Sequence, residues 1–159
     1  MFARPFIDSV DFARKGKELR GEIAVSELSR LADMLANSGG SLTYIVRGYH
    51  VDGRDMLDVS LQGACALRCQ RCLGELEYPV NVVSRLRLLP ADELDASEED
   101  DDVDAIEAES RLDVVALIEE ELLLALPFAP RHPEGACAPA MNDLQEKASP
   151  FAALAGLRK

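Results

Sequence analysis

Leu57-Asp58-Val59-Ser60-Leu61-Gln62-Gly63-Ala64-Cys65-Ala66-Leu67-Arg68, followed at once by Cys69-Gln70-Arg71-Cys72-Leu73-Gly74, is the stretch on which the fold turns. Leu57, Val59, Leu61, Cys65 and Leu67 recur at period two, with Asp58, Ser60, Gln62 and Arg68 on the alternate positions. Successive side chains of a strand point to opposite faces, so the pattern predicts a strand with one apolar and one wetted face. Cys65 keeps step with the leucines and reads as a small buried hydrophobe rather than a ligand.

Similar strands are expected on either side. Leu42, Tyr44 and Val46 share a face in Leu42–Tyr49. Leu76, Tyr78, Val80, Val82, Leu86 and Leu88 point inward in the strand after the cysteines, with Glu75, Glu77, Asn81, Arg85 and Arg87 outward. Polar-out alternation of this kind belongs to antiparallel sheets with a solvated face. His50-Val51-Asp52-Gly53 and Arg68 to Gly74 are the expected hairpin connections. Upstream, Leu19–Val25 reads as a short strand. Ser26 then caps an expected helix to Asn37, with Leu28, Leu31 and Leu35 at helical spacing.

Downstream, Asp113 is a helix cap, and Val114, Leu117, Ile118 and Leu122–Leu124 form an apolar helix running to Leu126, where Pro127 stops it. This helix is the expected cover of the sheet. The fold class is therefore α+β: an antiparallel meander, open or closed into a barrel, covered by one or two helices. The 159 residues fit a single domain spanning 1–159. Residues 127–159 are expected to form an extended, proline-rich tail. Ser149-Pro150 opens a short terminal helix there, and Phe151, Leu154 and Leu157 line one side of it.

Charge excludes some classes of function. The net charge is −12, the wrong sign for a generic nucleic-acid binder that neutralises phosphates with Lys and Arg. It is also uneven: 92–109 holds eleven acids and no base, and the rest of the chain carries only −1. Most of the 92–109 run is expected to be a mobile acidic loop. No secretory leader opens the sequence, and the apolar stretch Leu122 to Pro130 is too short to span a bilayer. The expected location is the cytoplasm, with neither membrane nor DNA as partner.

In a reducing compartment four cysteines are thiols or metal ligands rather than disulfides. Cys69 and Cys72 sit two residues apart in a tight turn, as in a zinc knuckle. His132-Pro133-Glu134-Gly135-Ala136-Cys137 has the spacing of a second half-site. If the helix returns the chain to the hairpin tip, Cys69, Cys72, His132 and Cys137 form a closed structural zinc site; otherwise they are free thiols and a surface histidine. Redox use of the cysteine pair is disfavoured, because the redox motif normally opens a helix. Hydrolytic chemistry lacks a nucleophile elbow or a phosphate-cradling loop. Arg68, Arg71, Arg85 and Arg87 fall on or near one hairpin, where they can form a basic strip for phosphate or an acidic partner, or be ordinary exposed arginines.

Cys69-Gln70-Arg71-Cys72 resembles the YceD family, whose bacterial members are called large ribosomal RNA subunit accumulation proteins. The resemblance continues through Glu119-Glu120-Glu121-Leu122, Leu124-Ala125-Leu126-Pro127, His132 with Cys137, and Ser149-Pro150-Phe151-Ala152 with Leu154 and Leu157. It covers roughly the last two thirds of the chain. It implies a non-enzymatic factor in ribosome biogenesis that supports accumulation or processing of large-subunit rRNA. Such a factor would contact precursor RNA, a basic ribosomal protein or another assembly factor, with Arg68, Arg71, Arg85, Arg87, Phe151, Leu154 and Leu157 as candidate contacts. The rivals are a thiol oxidoreductase or nuclease of RNA metabolism, and a zinc-stabilised adaptor with no ribosomal link.

Overall fold

A computed structural model of the chain describes residues 4–94 and 103–137. The alternating stretch becomes β4 (Arg54–Arg68), the middle of a five-stranded sheet. On one side of it lies β3 (Ser41–Val51) and then β2 (Glu18–Ala24). On the other lies β5 (Glu75–Leu89) and then β6 (Asp104–Glu107). Strands β2 to β5 form an antiparallel meander, whereas β6 joins β5 in parallel. The order is open, with β2 and β6 at its edges, so among the described residues the sheet does not close into a barrel. A separate two-stranded pairing links β1 (Phe6–Ile7) to β7 (Leu112–Asp113). The α+β expectation holds.

Burial follows the pattern of the sequence. Leu57, Val59, Leu61, Cys65 and Leu67 of β4 are buried, and Leu42, Tyr44 and Val46 join them from β3. From β5 come Val80, Val82, Leu86 and Leu88. Each such side chain stabilises by roughly 1.5–3 kcal/mol against exposure. The Asp52-Gly53 connection has both residues at positive φ, 50° and 72°, the primed turn that matches the twist of a two-residue hairpin.

The main cover is α3 (Val114–Ala125), capped by Asp113, whose carboxylate accepts from the Val115 and Ala116 N–H groups. Val114, Val115, Leu117, Ile118 and Leu122 face the sheet. Leu126 turns extended at φ −71° and ψ 142°, as a residue before proline prefers. Two glutamates of this helix are buried and both have partners. Glu119 accepts from the Arg30 backbone N–H at 2.6 Å, and Glu121 bonds the Ser84 side chain. Burial pushes the Glu121 carboxyl above its ordinary pKa, against the opposing effect of Ser84. No helix among the described residues is long and apolar enough to cross a membrane.

Two expectations are corrected. Ser26–Asn37 is not an α-helix: it makes two short 3-10 turns, Val25–Glu27 and Ser29–Leu31, then a further turn and a single bridge from Leu35 to Leu67. Leu28, Leu31 and Leu35 are buried as the periodicity required. The backbone, however, has better partners than a helix ladder. β4 outruns β3 beyond Gly63, and its bare edge is met by Ala36 N–H to Ala66 O at 2.8 Å and Arg68 N–H to Met34 O at 2.8 Å. The acidic run is not a loop throughout either. It begins in a short helix, α2 (Ala91–Leu94), and ends in β6. Ile106 and Ala108 pack against the core, which anchors this end despite its charge. The stretch between them, 95–102, lies outside the described residues, as does the expected terminal helix at 149–159.

The periodicity also missed the amino-terminal helix α1 (Ser9–Arg14), capped by Asp8. It sits directly on β3 at Gly48, where a Cβ would fall 2.5 Å from the Phe12 carbonyl oxygen and 2.7 Å from the Ala13 Cα. Gly48→Ala is accordingly expected to destabilise the protein by roughly 1–3 kcal/mol. Urea unfolding measures this, and an unchanged midpoint would mean that α1 does not depend on that contact.

Candidate metal centre

The β4–β5 hairpin ends in a tip closed by two backbone hydrogen bonds, Cys69 N–H to Gly74 O at 2.9 Å and Leu73 N–H to Cys69 O at 2.8 Å. Leu73 takes φ 60°, a left-handed conformation that costs a side-chain-bearing residue roughly 1–2 kcal/mol. Tertiary structure must supply that energy, and the returning chain is at hand. After α3 the extended segment passes the tip, and Gln70 N–H donates to the Pro130 carbonyl at 2.8 Å.

This return brings together the four residues singled out by spacing. The ligand atoms of Cys69, Cys72, His132 and Cys137 all lie within 4.8 Å of one another. Cys69 Sγ is 3.8 Å from Cys137 Sγ, and His132 Nδ1 is 3.5 Å from Cys72 Sγ and 3.6 Å from Cys137 Sγ. Sulfurs about 2.3 Å and a nitrogen about 2.0–2.1 Å from one tetrahedral centre would be about 3.8 Å apart for S···S and about 3.5–3.6 Å for S···N. Three of the six separations therefore match the edges of one coordination tetrahedron, and the group can hold a metal ion. All four cysteines are free, and Cys65 lies buried in the core, where burial raises its pKa.

The imidazole is oriented from behind. His132 Nε2 is 2.9 Å from the Glu75 carbonyl, and donation to that oxygen gives the neutral ring the tautomer whose bare Nδ1 faces the sulfurs. The thiols are electrostatically coupled. The Cys72 backbone N–H brings Cys69 down to about 5. Cys137 is lowered, first by the Arg71 guanidinium. Cys72 is raised: the lowering effect of the Gly74 N–H is outweighed by burial and by the Cys69 and Cys137 sulfurs. His132 is raised, first through its bond to Cys137. A cluster in which the ionisation of two thiols opposes that of the third is one that a cation relieves.

The arginines are less concentrated than one strip requires. Arg68 and Arg71 belong to the tip end, where Arg68 pairs with Glu75 in register. Arg85 lies ten residues along β5 from Glu75, roughly 33 Å at strand rise. Arg85 there faces Asp58 at 3.7 Å, and Arg87 pairs in register with Met56. Arg71 turns inward, donating from Nε to Cys137 Sγ at 3.0 Å and from NH2 to the carbonyls of His132 and Pro133. A shared hairpin thus yields two separated pairs rather than a strip. Phe151, Leu154 and Leu157 lie outside the described residues. Sequence reasoning missed the Glu75 carbonyl and the inward turn of Arg71. The first is a backbone atom with no signature, and the second sits inside the cysteine motif without a distinguishing neighbour.

A family model described as large ribosomal RNA subunit accumulation protein YceD matches residues 57–158. The large ribosomal RNA subunit accumulation protein YceD of Haemophilus influenzae is 25% identical over 173 aligned residues, covering 96% of this chain and 94% of that relative. No solved structure gives a significant match.

If the four residues act as one site, a divalent ion added to chelator-stripped protein should protect Cys69, Cys72 and Cys137 together from alkylation. Mass spectrometry of the labelled peptides measures this. Protection of the hairpin pair with Cys137 still reactive would break up the four-residue group.

Proposed function

The chain belongs to the YceD family, and on that premise we propose that it is a non-enzymatic ribosome-biogenesis factor that promotes accumulation of large-subunit rRNA by binding a precursor component. The observation that carries this reading is the reach of the family match. Residues 57–158 take in most of β4, all of β5 and α3, and every residue of the candidate metal centre.

Zinc is the ion that the donor set fits. Three thiolates and one imidazole at tetrahedral spacing suit zinc, and four protein donors leave no position for water or substrate. The ion would cross-link the hairpin tip to the segment after α3 and supply no chemistry of its own. In this reading the factor works as a surface. Arg68 at one end of the hairpin and Arg85 and Arg87 at the other are separate contacts for RNA phosphates. The acidic run offers a contact to a basic ribosomal protein, and Phe151, Leu154 and Leu157 offer an apolar one. A cytoplasmic location belongs with it, because the ligating thiols must stay reduced.

One observation favours a second reading, a thiol oxidoreductase: Cys69, held down to about 5, lies 3.8 Å from Cys137. Against it, the low-pKa thiol sits in a turn between strands rather than at a helix start. A nuclease has less support. His132 is turned to the sulfurs, and His50 faces Asp55 at 2.7 Å. A zinc-stabilised adaptor unrelated to ribosomes shares the centre but not the partner.

Elemental analysis of protein purified without chelator should find about one zinc per chain. Cys72→Ser should lower the melting temperature more than Cys65→Ser, because loss of a ligand removes binding energy coupled to folding. A metal-free, fully folded protein would remove zinc from the proposal. Tagged protein should co-sediment with large-subunit precursors, and loss of the gene should lower large-subunit rRNA relative to small-subunit rRNA. Normal rRNA ratios with no co-sedimentation would leave the adaptor reading in place of the ribosomal one.

A further inference from the structure

The Cys69–Cys72 turn and the His132–Cys137 segment are far apart in sequence, and two backbone-directed hydrogen bonds, Gln70 N–H to the Pro130 carbonyl and His132 Nε2 to the Glu75 carbonyl, bring the segment to the tip without holding Cys137. A long loop that must present two ligands to a distant pair loses conformational freedom when the site forms. A site whose second half is already held pays less of that cost at the moment of binding. Of the side chains around the centre, one reaches from the first half into the second. Arg71 lies between Cys69 and Cys72, and its guanidinium contacts three successive features of the facing segment. These are the His132 carbonyl at 3.1 Å, the Pro133 carbonyl at 3.2 Å and Cys137 Sγ at 3.0 Å. Two of the three sit at the ligand residues themselves, and the third is the neighbour of one. The planar fork of arginine suits this, since it directs several donors at once while lysine presents a single compact charge.

Charge points the same way. Three thiolates and a neutral imidazole around a divalent ion leave one net negative charge, and the guanidinium in contact with Cys137 cancels it. Hydrogen bonds to ligating groups from outside the coordination sphere commonly set both their orientation and the affinity of the site.

Resting on the zinc reading above, we propose that Arg71 is the positioning residue of the metal centre. It holds the His132–Cys137 half in ligating geometry before the ion arrives and neutralises the loaded site. Arg71, an exposed residue, is thereby assigned to the support of the site rather than to the contact surface for a partner.

The test uses the full-length chain as wild type, Arg71→Gln and Arg71→Lys. Arg85→Gln, at the far end of β5, serves as the control arginine. Metal affinity is read by competition with a chromophoric zinc chelator, and site geometry by the thiolate-to-metal charge-transfer band of the cobalt(II) form. Arg71→Gln is expected to bind on the order of 10–100-fold more weakly, with a displaced charge-transfer band. Arg71→Lys should regain part of the affinity while keeping the displaced band, and Arg85→Gln should match wild type in both. The band separates positioning from a general loss of stability, which would weaken binding without altering the geometry of the loaded site. If Arg71→Gln binds as tightly as wild type with an unshifted band, the assignment of Arg71 is overturned while the zinc site stands. If wild type itself binds no zinc, both fall.

Discussion

The pairing of β4 with β5 is the constraint on which the rest of the structure depends. It joins the strands from Met56↔Arg87 to Arg68↔Glu75 without a slip. Because side chains alternate with period two, a shift of one residue would turn Leu57, Val59, Leu61 and Leu67 out to solvent. All four are fully buried. The same register delivers Cys69 to the end of the ladder and Cys72 into the turn, with the Glu75 carbonyl behind His132. Core packing and ligand placement are therefore set by one choice of register.

The cluster of Cys69, Cys72, His132 and Cys137 in turn ties down a part of the chain that the sheet does not reach. Beyond α3, contacts of the described chain with the hairpin tip run through Gln70 to Pro130, His132 to Glu75, and Arg71 to His132, Pro133 and Cys137. The two contacts between ligand halves in which Cys72 meets His132 and Cys69 meets Cys137 span sixty and sixty-eight residues. Closing so long a loop is entropically costly, and the cost grows only slowly with length. A coordinated ion is well suited to offset it, because each ligand bond is far stronger than one exposed hydrogen bond. The left-handed Leu73 fits the same picture of local strain tolerated where surrounding contacts over-determine the backbone.

Charge is organised along the sheet as well as along the sequence. The solvated face carries Glu18, Arg47, Asp58 and Arg85 in successive strands at one level, with Arg47 paired to Glu18 and Arg85 facing Asp58. Neutral rows of this kind suit a soluble surface and give no single-signed field. The excess of acid lies instead in 92–109, entered through α2 and left through β6. Ile106 supplies the apolar anchor there. Parallel pairing of β6 with β5 requires a crossover, and eight of the eleven acidic residues lie between the two strands.

The sequence by itself determined the meander, the covering helix with its Asp113 cap and its end before Pro127, the buried character of Cys65, and the four residues of the cysteine–histidine cluster. Each of these rests on a local rule: strand alternation, capping chemistry, proline geometry, or ligand spacing. Tertiary structure decided what local rules leave open. Ser26–Asn37 has helical periodicity, yet the unpaired edge of β4 claimed its backbone through Ala36 and Met34. Asp104–Glu107 looked like part of a charged loop, yet a free stretch of β5 edge and the burial of Ile106 made it a strand. Four arginines on one hairpin looked like a strip, yet the length of the strands set two of them apart and the His132–Cys137 segment engaged the guanidinium of Arg71. The physical reason is common to all three. A backbone group or a guanidinium takes the partner that the fold brings within reach, and that partner is distant in the chain.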